Sequence, residues 1–146
     1  MAALNLASIR KAIYDWFAAS QGAGTPYAAV SGRLYAVQAP ADTSWPFIIF
    51  DIVSDNSTWT FDYGIEELRV QFSMYCKDDP DGLDVEVVAT ALRKRFDKAA
   101  LTFSGSDYAC MEMRPDQGVG PFPATPGEDD KRSAYTQDYL LQVQQL

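Results

Sequence analysis

The chain has 146 residues, 47% of them hydrophobic and 22% charged, a formal net charge of -8 and no histidine. That length and hydrophobic content suffice for one domain whose core needs neither disulfide nor metal, and they exclude a disordered chain. The acidic balance excludes a protein that grips phosphate backbones through clustered lysine and arginine, and the missing histidine removes His-based general bases, Ser-His-Asp and Cys-His nucleophiles, and His-containing zinc sites.

From the N-terminus, Leu6, Ile9, Ile13, Trp16 and Phe17 recur at helical spacing behind Asn5, a candidate N-cap, and the stretch SQGAGTP breaks the run. This segment is too polar for the core of a signal peptide, and no stretch reaches the ~20 apolar residues of a membrane span, so synthesis in the cytoplasm is expected. GRLYAVQ predicts a short strand that ends before Pro40. PFIIFDIVS, opened by Pro46, is a near-continuous β-branched and aromatic run, which predicts a central strand buried on both faces. Asp55 and Asn56 then predict the turn into a hairpin, whose outer part carries Trp59, Phe61 and Tyr63. Those three rings are either folded back on their own sheet or offered to another chain.

The return strand alternates clearly. Leu68, Val70, Phe72, Met74 and Cys76 point one way, toward a core, and Glu67, Arg69, Gln71 and Ser73 the other way, toward water or a partner. In the acidic turn that follows, Asp79, Asp81 and Gly82 fit positions three, five and six of a calcium-binding loop. Lys77 and Val88 occupy the places of its first and last ligands, so that reading fails. Asp78 and Asp79 are read instead as solvated turn residues, and Asp81 as the N-cap or turn residue of the next helix. In that helix Val85, Val88, Leu92 and Phe96 form one stripe. Acidic residues lead it and Arg93, Lys94, Arg95 and Lys98 finish it, matching the helix dipole at both ends.

LTF and YACMEMR predict one strand or two short ones. Residues 115–130, PDQGVGPFPATPGEDD, predict a long Pro/Gly-rich loop, in which the lone Phe122 is a candidate anchor for a neighbouring subunit. Gly118 and Gly120 precede PFP where a phosphate-binding loop needs a helix start and a Lys-Ser or Lys-Thr pair. SAYTQDYLLQVQQL is a final strand. Cys76 and Cys110 have no metal or redox spacing and are expected as reduced buried thiols, sheet neighbours if their strands face each other. The elements add up to a single α+β domain over residues 1–146, with two helices on a mostly antiparallel sheet of about four to six strands. No catalytic, metal or cofactor residue is assigned.

The order of these elements, with the AP turn of LYAVQAP, the PF that opens the next strand, GIEELRVQFSMYCK with its acidic turn, and DVEVVATALRKRF, resembles the tail terminator and tail-completion proteins of long-tailed bacteriophages and phage-like particles. The resemblance covers roughly residues 6–144. It implies a non-enzymatic subunit of a homo-hexameric ring that caps the tail tube, ends its elongation and offers the interface to the head. The implied partners are the tail tube protein and a head-completion or connector protein, with DNA passing through the lumen, no tight nucleic-acid binding and no membrane. The implied location is the tail-head junction of the virion, after assembly in the host cytoplasm. A carboxylate-lined lumen would repel DNA phosphates, which makes Asp78, Asp79 and Asp81 candidates for an acidic lumen as well as for a turn. Trp59, Phe61, Tyr63 and Phe122 are the candidate subunit or partner interface. The length of the 115–130 segment departs from the family. Two other classes stay open: another head-tail joining, head-completion or minor tail protein, and a small-molecule-binding domain or enzyme that uses carboxylates or Ser and Tyr groups.

Overall fold

Helix α1 (Leu6–Ala18) and the short α2 (Pro26–Val30) lead into strand β1 (Leu34–Ala36), the long hairpin of β2 (Phe47–Trp59) and β3 (Gly64–Cys76), helix α3 (Leu83–Phe96), and strands β4 (Tyr108–Pro123) and β5 (Ser133–Gln145). The computed structural model describes residues 6–59, 64–103, 108–123 and 132–145. The strands form one sheet of order β1-β2-β3-β5-β4, antiparallel except between β1 and β2. The expected α+β class holds. Helix α2 is an addition, and its signal lies in the expected breaker: Pro26 opens it, and Thr25 caps it by accepting the Ala28 amide.

The alternation of β3 organises the core. Met74, Phe72 and Val70 face Ile48, Phe50 and Ile52 of β2, while Val70 and Leu68 face Tyr139 and Leu141 of β5. Over these rows lie Ile9, Ile13 and Phe17 of α1, Val30 of α2, and Val85, Val88, Leu92 and Phe96 of α3, in one continuous cluster. All three helices therefore cover the same face. Removing a ring as central as Phe72, which is fully buried, would cost roughly 3–5 kcal/mol.

That one-sided layering corrects the reading of PFIIF. The central strand is β3, and β2 lies second from the edge. Its burial alternates: Ile48 and Phe50 enter the core, while Ile49 and Asp51 are half-buried on the opposite face. A sheet with helices on one side only cannot bury a strand twice.

Asp55 and Asn56 do not turn the chain either. They pair with Leu68 and Glu67, and the ladder runs past a bulge between Ile52 and Ser54 to Trp59 and Gly64. Because β3 stays paired with β5 as far as Ile65 and Gln144, it presents β2 with a template that overrides the turn preference of Asp-Asn.

Residues 115–123, expected in a loop, are the outer half of β4, with shifts in pairing after Cys110, Pro115 and Val119. Proline and glycine are tolerated there because β4 is an edge strand. Residues 124–130 of the expected loop lie outside the described residues. LTF is not a strand; it runs as irregular chain with Leu101 and Phe103 buried in the core. The two cysteines share the sheet at opposite ends, since Cys76 pairs with Ser133 and Cys110 with Val143. At ~3.3 Å per residue that puts them about 30 Å apart along β5, beyond the reach of a disulfide.

Candidate functional site: the uncovered face of the sheet

On the face away from the helices, no helix among the described residues covers the strands, so the side chains there are ordered by cross-strand neighbours and by the chain that leads into the strands. At one end, direct partners form a row across four strands: Phe47 of β2, Tyr75 of β3, Ala134 of β5 and Phe122 of β4. Phe47 and Tyr75 stack at 5.1 Å, Trp45 meets Phe47 edge-on at 4.9 Å, and the Arg132 guanidinium lies 5.2 Å from the Trp45 ring. Phe122 stands open at the edge, 39% exposed, with Val119 one row further along at 48%. Arg33 holds the entry to this corner by donating to the carbonyls of Pro46 and Trp45.

Further along the same face the rows become charged. Arg69 of β3 pairs with Asp116 of β4 and, at 3.4 Å, with Asp138 of β5; Arg114 of β4 reaches Glu67 of β3 at 3.8 Å. The Asp116 and Asp138 carboxylates hold the Arg69 pKa above its ordinary value. Asp51 and Glu112 fall on this face too, by their pairing with Gln71 and Gln142, so carboxylates outnumber guanidiniums across it. The surface is thus an aromatic corner joined to a mixed, net acidic ladder.

The acidic turn is built around Asp79. The Gly82 amide donates to the Asp79 carbonyl across Pro80, in the residue order that a type I turn favours. The Asp79 carboxylate, 5% exposed, accepts the amides of Asp84 and Val85 at 3.0 Å each and the Ser133 hydroxyl at 2.6 Å. Burial raises its pKa, but the bonds from Ser133 and from the amides of Asp84, Val85 and Leu83 outweigh that and leave it lowered. Asp79, expected as a solvated turn residue, is instead buried, because its carboxylate takes the first amides of α3; Gly82 holds the N-cap position and Asp81 stays in the turn. A carboxylate enclosed this way presents nothing to a lumen. Asp78 and Asp81 are exposed. Asp78 takes a left-handed backbone with φ 55°, which aspartate tolerates better than most residues.

Beside this turn a cavity of about 600 Å³ is bounded by Trp45, Pro46, Cys76, Lys77, Asp78 and Asp84, among others. Ser44 lines it as well, and the Cys76 thiol is held in the unreactive form: burial first, then the Asp79 and Asp84 carboxylates, push it up to about 12, so it stays protonated at neutral pH. No group of three or more metal-ligating side chains occurs among the described residues. No helix among them is long and apolar enough to cross a membrane.

Of the four interface candidates, Phe122 is exposed at the edge of the uncovered face. Trp59 closes the β2–β3 ladder opposite Gly64 through its backbone, and Phe61 and Tyr63 lie outside the described residues. Sequence reading missed Trp45, Phe47 and Tyr75. Tyr75 carried a usable signal, because it continues the outward set of Glu67, Arg69, Gln71 and Ser73; Phe47 was hidden inside a run read as buried on both faces.

No protein-family model matches the chain, and no curated protein matches it. Among solved structures it is similar to a chain of the virion of a native gene transfer agent (GTA) particle, with a TM-score of 0.76 and 12% identity, over 95% of this chain and 96% of that one. The likeness is one of fold, and it spans both chains almost end to end.

Proposed function

We propose that this chain is a structural subunit of a phage-like virion and, within it, a tail terminator: a ring that caps the tail tube, stops its elongation and offers the interface to the head. The observation that carries this reading is the end-to-end likeness of fold to a gene transfer agent virion chain. The order of elements in the sequence, which resembles tail terminators, supports the same assignment. So does the uncovered face, whose aromatic corner suits contact with a neighbour and whose excess of carboxylates suits DNA that must pass without sticking.

In this reading the chain forms a homo-hexamer that contacts the tail tube protein and a head-completion or connector protein at the tail-head junction, and performs no catalysis. Phe122, with Trp59, Phe61 and Tyr63, serves the contact between subunits or with a partner. Asp78 and Asp81 contribute exposed carboxylates to the lumen side. Negative-stain microscopy of the purified chain, followed by its addition to polymerising tail tubes, tests the proposal. Six-membered rings that sit on one tube end and arrest growth are expected. A monomer with no effect on tube length overturns the proposal, and rings that leave tube growth unchanged point to another joining protein.

A further inference from the structure

Helix α3 presents a second surface that neither the core nor the uncovered face uses. Its buried stripe is Val85, Val88, Leu92 and Phe96. On the opposite side Leu83 and Val87 are 61% and 64% exposed, the two most exposed large hydrophobics among the described residues, and Thr90 and Lys94 are exposed in line with them. The positions 83, 87, 90 and 94 are spaced four, three and four, which is the seam spacing of two helices packed side by side. Gly24, a residue without a side chain, flanks this stripe, so a shallow depression of about 400 Å³ runs along it.

The charges on the stripe say what fits there. Asp84 and Glu86 stand in the first turn of α3, and Arg93 and Lys94 in its last. One end of the surface is acidic; the other carries Arg93, which reaches Asp97 at 3.3 Å, and Lys94, and is net positive, with aliphatic side chains between the two ends. A second copy of the same helix, laid antiparallel, reverses that order: Glu86 of each copy meets Arg93 and Lys94 of the other, Thr90 lies near the two-fold axis, and the helix dipoles oppose favourably. A parallel copy would set Asp84 and Glu86 against their own equivalents. On a chain with a formal net charge of -8, general self-association is repulsive, and this stripe is complementary to itself in one orientation only.

We infer that α3 is a self-docking surface, joining two copies of this chain antiparallel across a two-fold axis through Leu83, Glu86, Val87, Thr90, Arg93 and Lys94. A helix of this length is about 21 Å long, and one such pair buries less than the roughly 1,200 Å² of a stable free-standing interface. The contact is therefore weak and concentration-dependent. It closes on itself, so it is separate from the head-to-tail contacts of a ring and stands or falls independently of the proposed function.

Disulfide trapping under mild oxidation reads the geometry directly, with the unmodified chain as the background for Cys76 and Cys110. T90C is expected to form covalent dimers, L83C alone to stay at background, and a mixture of E86C and K94C to link. Sedimentation over rising concentration supplies the energetic arm: E86K is expected to weaken association about tenfold, and the charge-swapped E86K/K94E to restore it. All four positions are exposed, and circular dichroism checks that each variant folds. Background-level linkage of T90C at the highest soluble concentration, self-linkage of L83C equal to that of T90C, or failure of E86K/K94E to recover what E86K loses would each overturn the inference.

Discussion

Asp79 shows how much a single buried carboxylate can organise. Its backbone carbonyl is the turn acceptor, and its charged carboxylate holds the first amides of α3 and ties them to the first residue of β5. Its folded pKa is lowered, so the stability it contributes is fully present above the ordinary aspartate value of about 4 and is lost as pH falls through the folded value. Asp79→Asn should therefore lose about 1–3 kcal/mol at pH 7 in urea unfolding and show a shallower loss of stability below about pH 4 than the unmodified protein. Three residues on, Gly82 has φ 72°, and a Cβ there would come within 2.5 Å of the Pro121 ring. Gly82→Ala should cost roughly 1–3 kcal/mol, with part of the loss recovered in the double variant with Pro121→Ala, because the steric share disappears and the backbone share does not. The turn was legible in KDDPDG, but which aspartate holds the first amides of the helix was not, since Ser133 enters from 54 residues away.

At the scale of elements, the helices are fastened at their ends as well as packed. Trp16 Nε1 donates to the Arg95 carbonyl at 2.8 Å, Arg95 Nε and Nη2 donate to the Trp16 carbonyl at 2.9 and 2.7 Å, and the guanidinium lies 4.2 Å over the indole. The clasp satisfies a carbonyl in the last turn of each helix and joins α1 to α3. Strand β5 holds α3 twice: through Ser133 and Asp79 at its start, and at its end through the buried Tyr139 hydroxyl, which donates to Asp97 at 2.5 Å. Burial and that bond to Asp97 raise the Tyr139 pKa. Arg95→Lys keeps the charge but loses the fork and the flat stacking surface, so it should lower the free energy of unfolding by about 1–2 kcal/mol in denaturant titration, whereas Lys94→Ala on the exposed side should stay within about 0.5 kcal/mol. Reading the sequence placed Arg95 in the basic end of the helix, where dipole complementarity explains it. Its partner, 79 residues earlier, follows from how α1 lies on α3 and not from any local pattern.

For the whole molecule, the consequential fact is that the sheet has one covered face and one open face. Phe122→Asp should leave the unfolding midpoint nearly unchanged, because the side chain is already 39% exposed, while reducing assembly measured by light scattering or microscopy if the aromatic corner is a contact. The alternation of β3 by itself determined that such a division exists and which residues of that strand lie on each side of it, and its combination with the helical stripes pointed to α+β; period two and period 3.6 are local properties that a sequence displays directly. The absence of histidine by itself removed whole classes of chemistry. Only the tertiary structure decided the strand order, the length of β2 beyond Asp55, the strand character of residues 115–123, and the meeting of Phe47, Tyr75, Ala134 and Phe122 in one row. Each of these depends on which strand lies beside which, a pairing between residues far apart in the chain. Its free energy comes from cross-strand neighbours and a shared core, so local preferences for turn or loop yield to it.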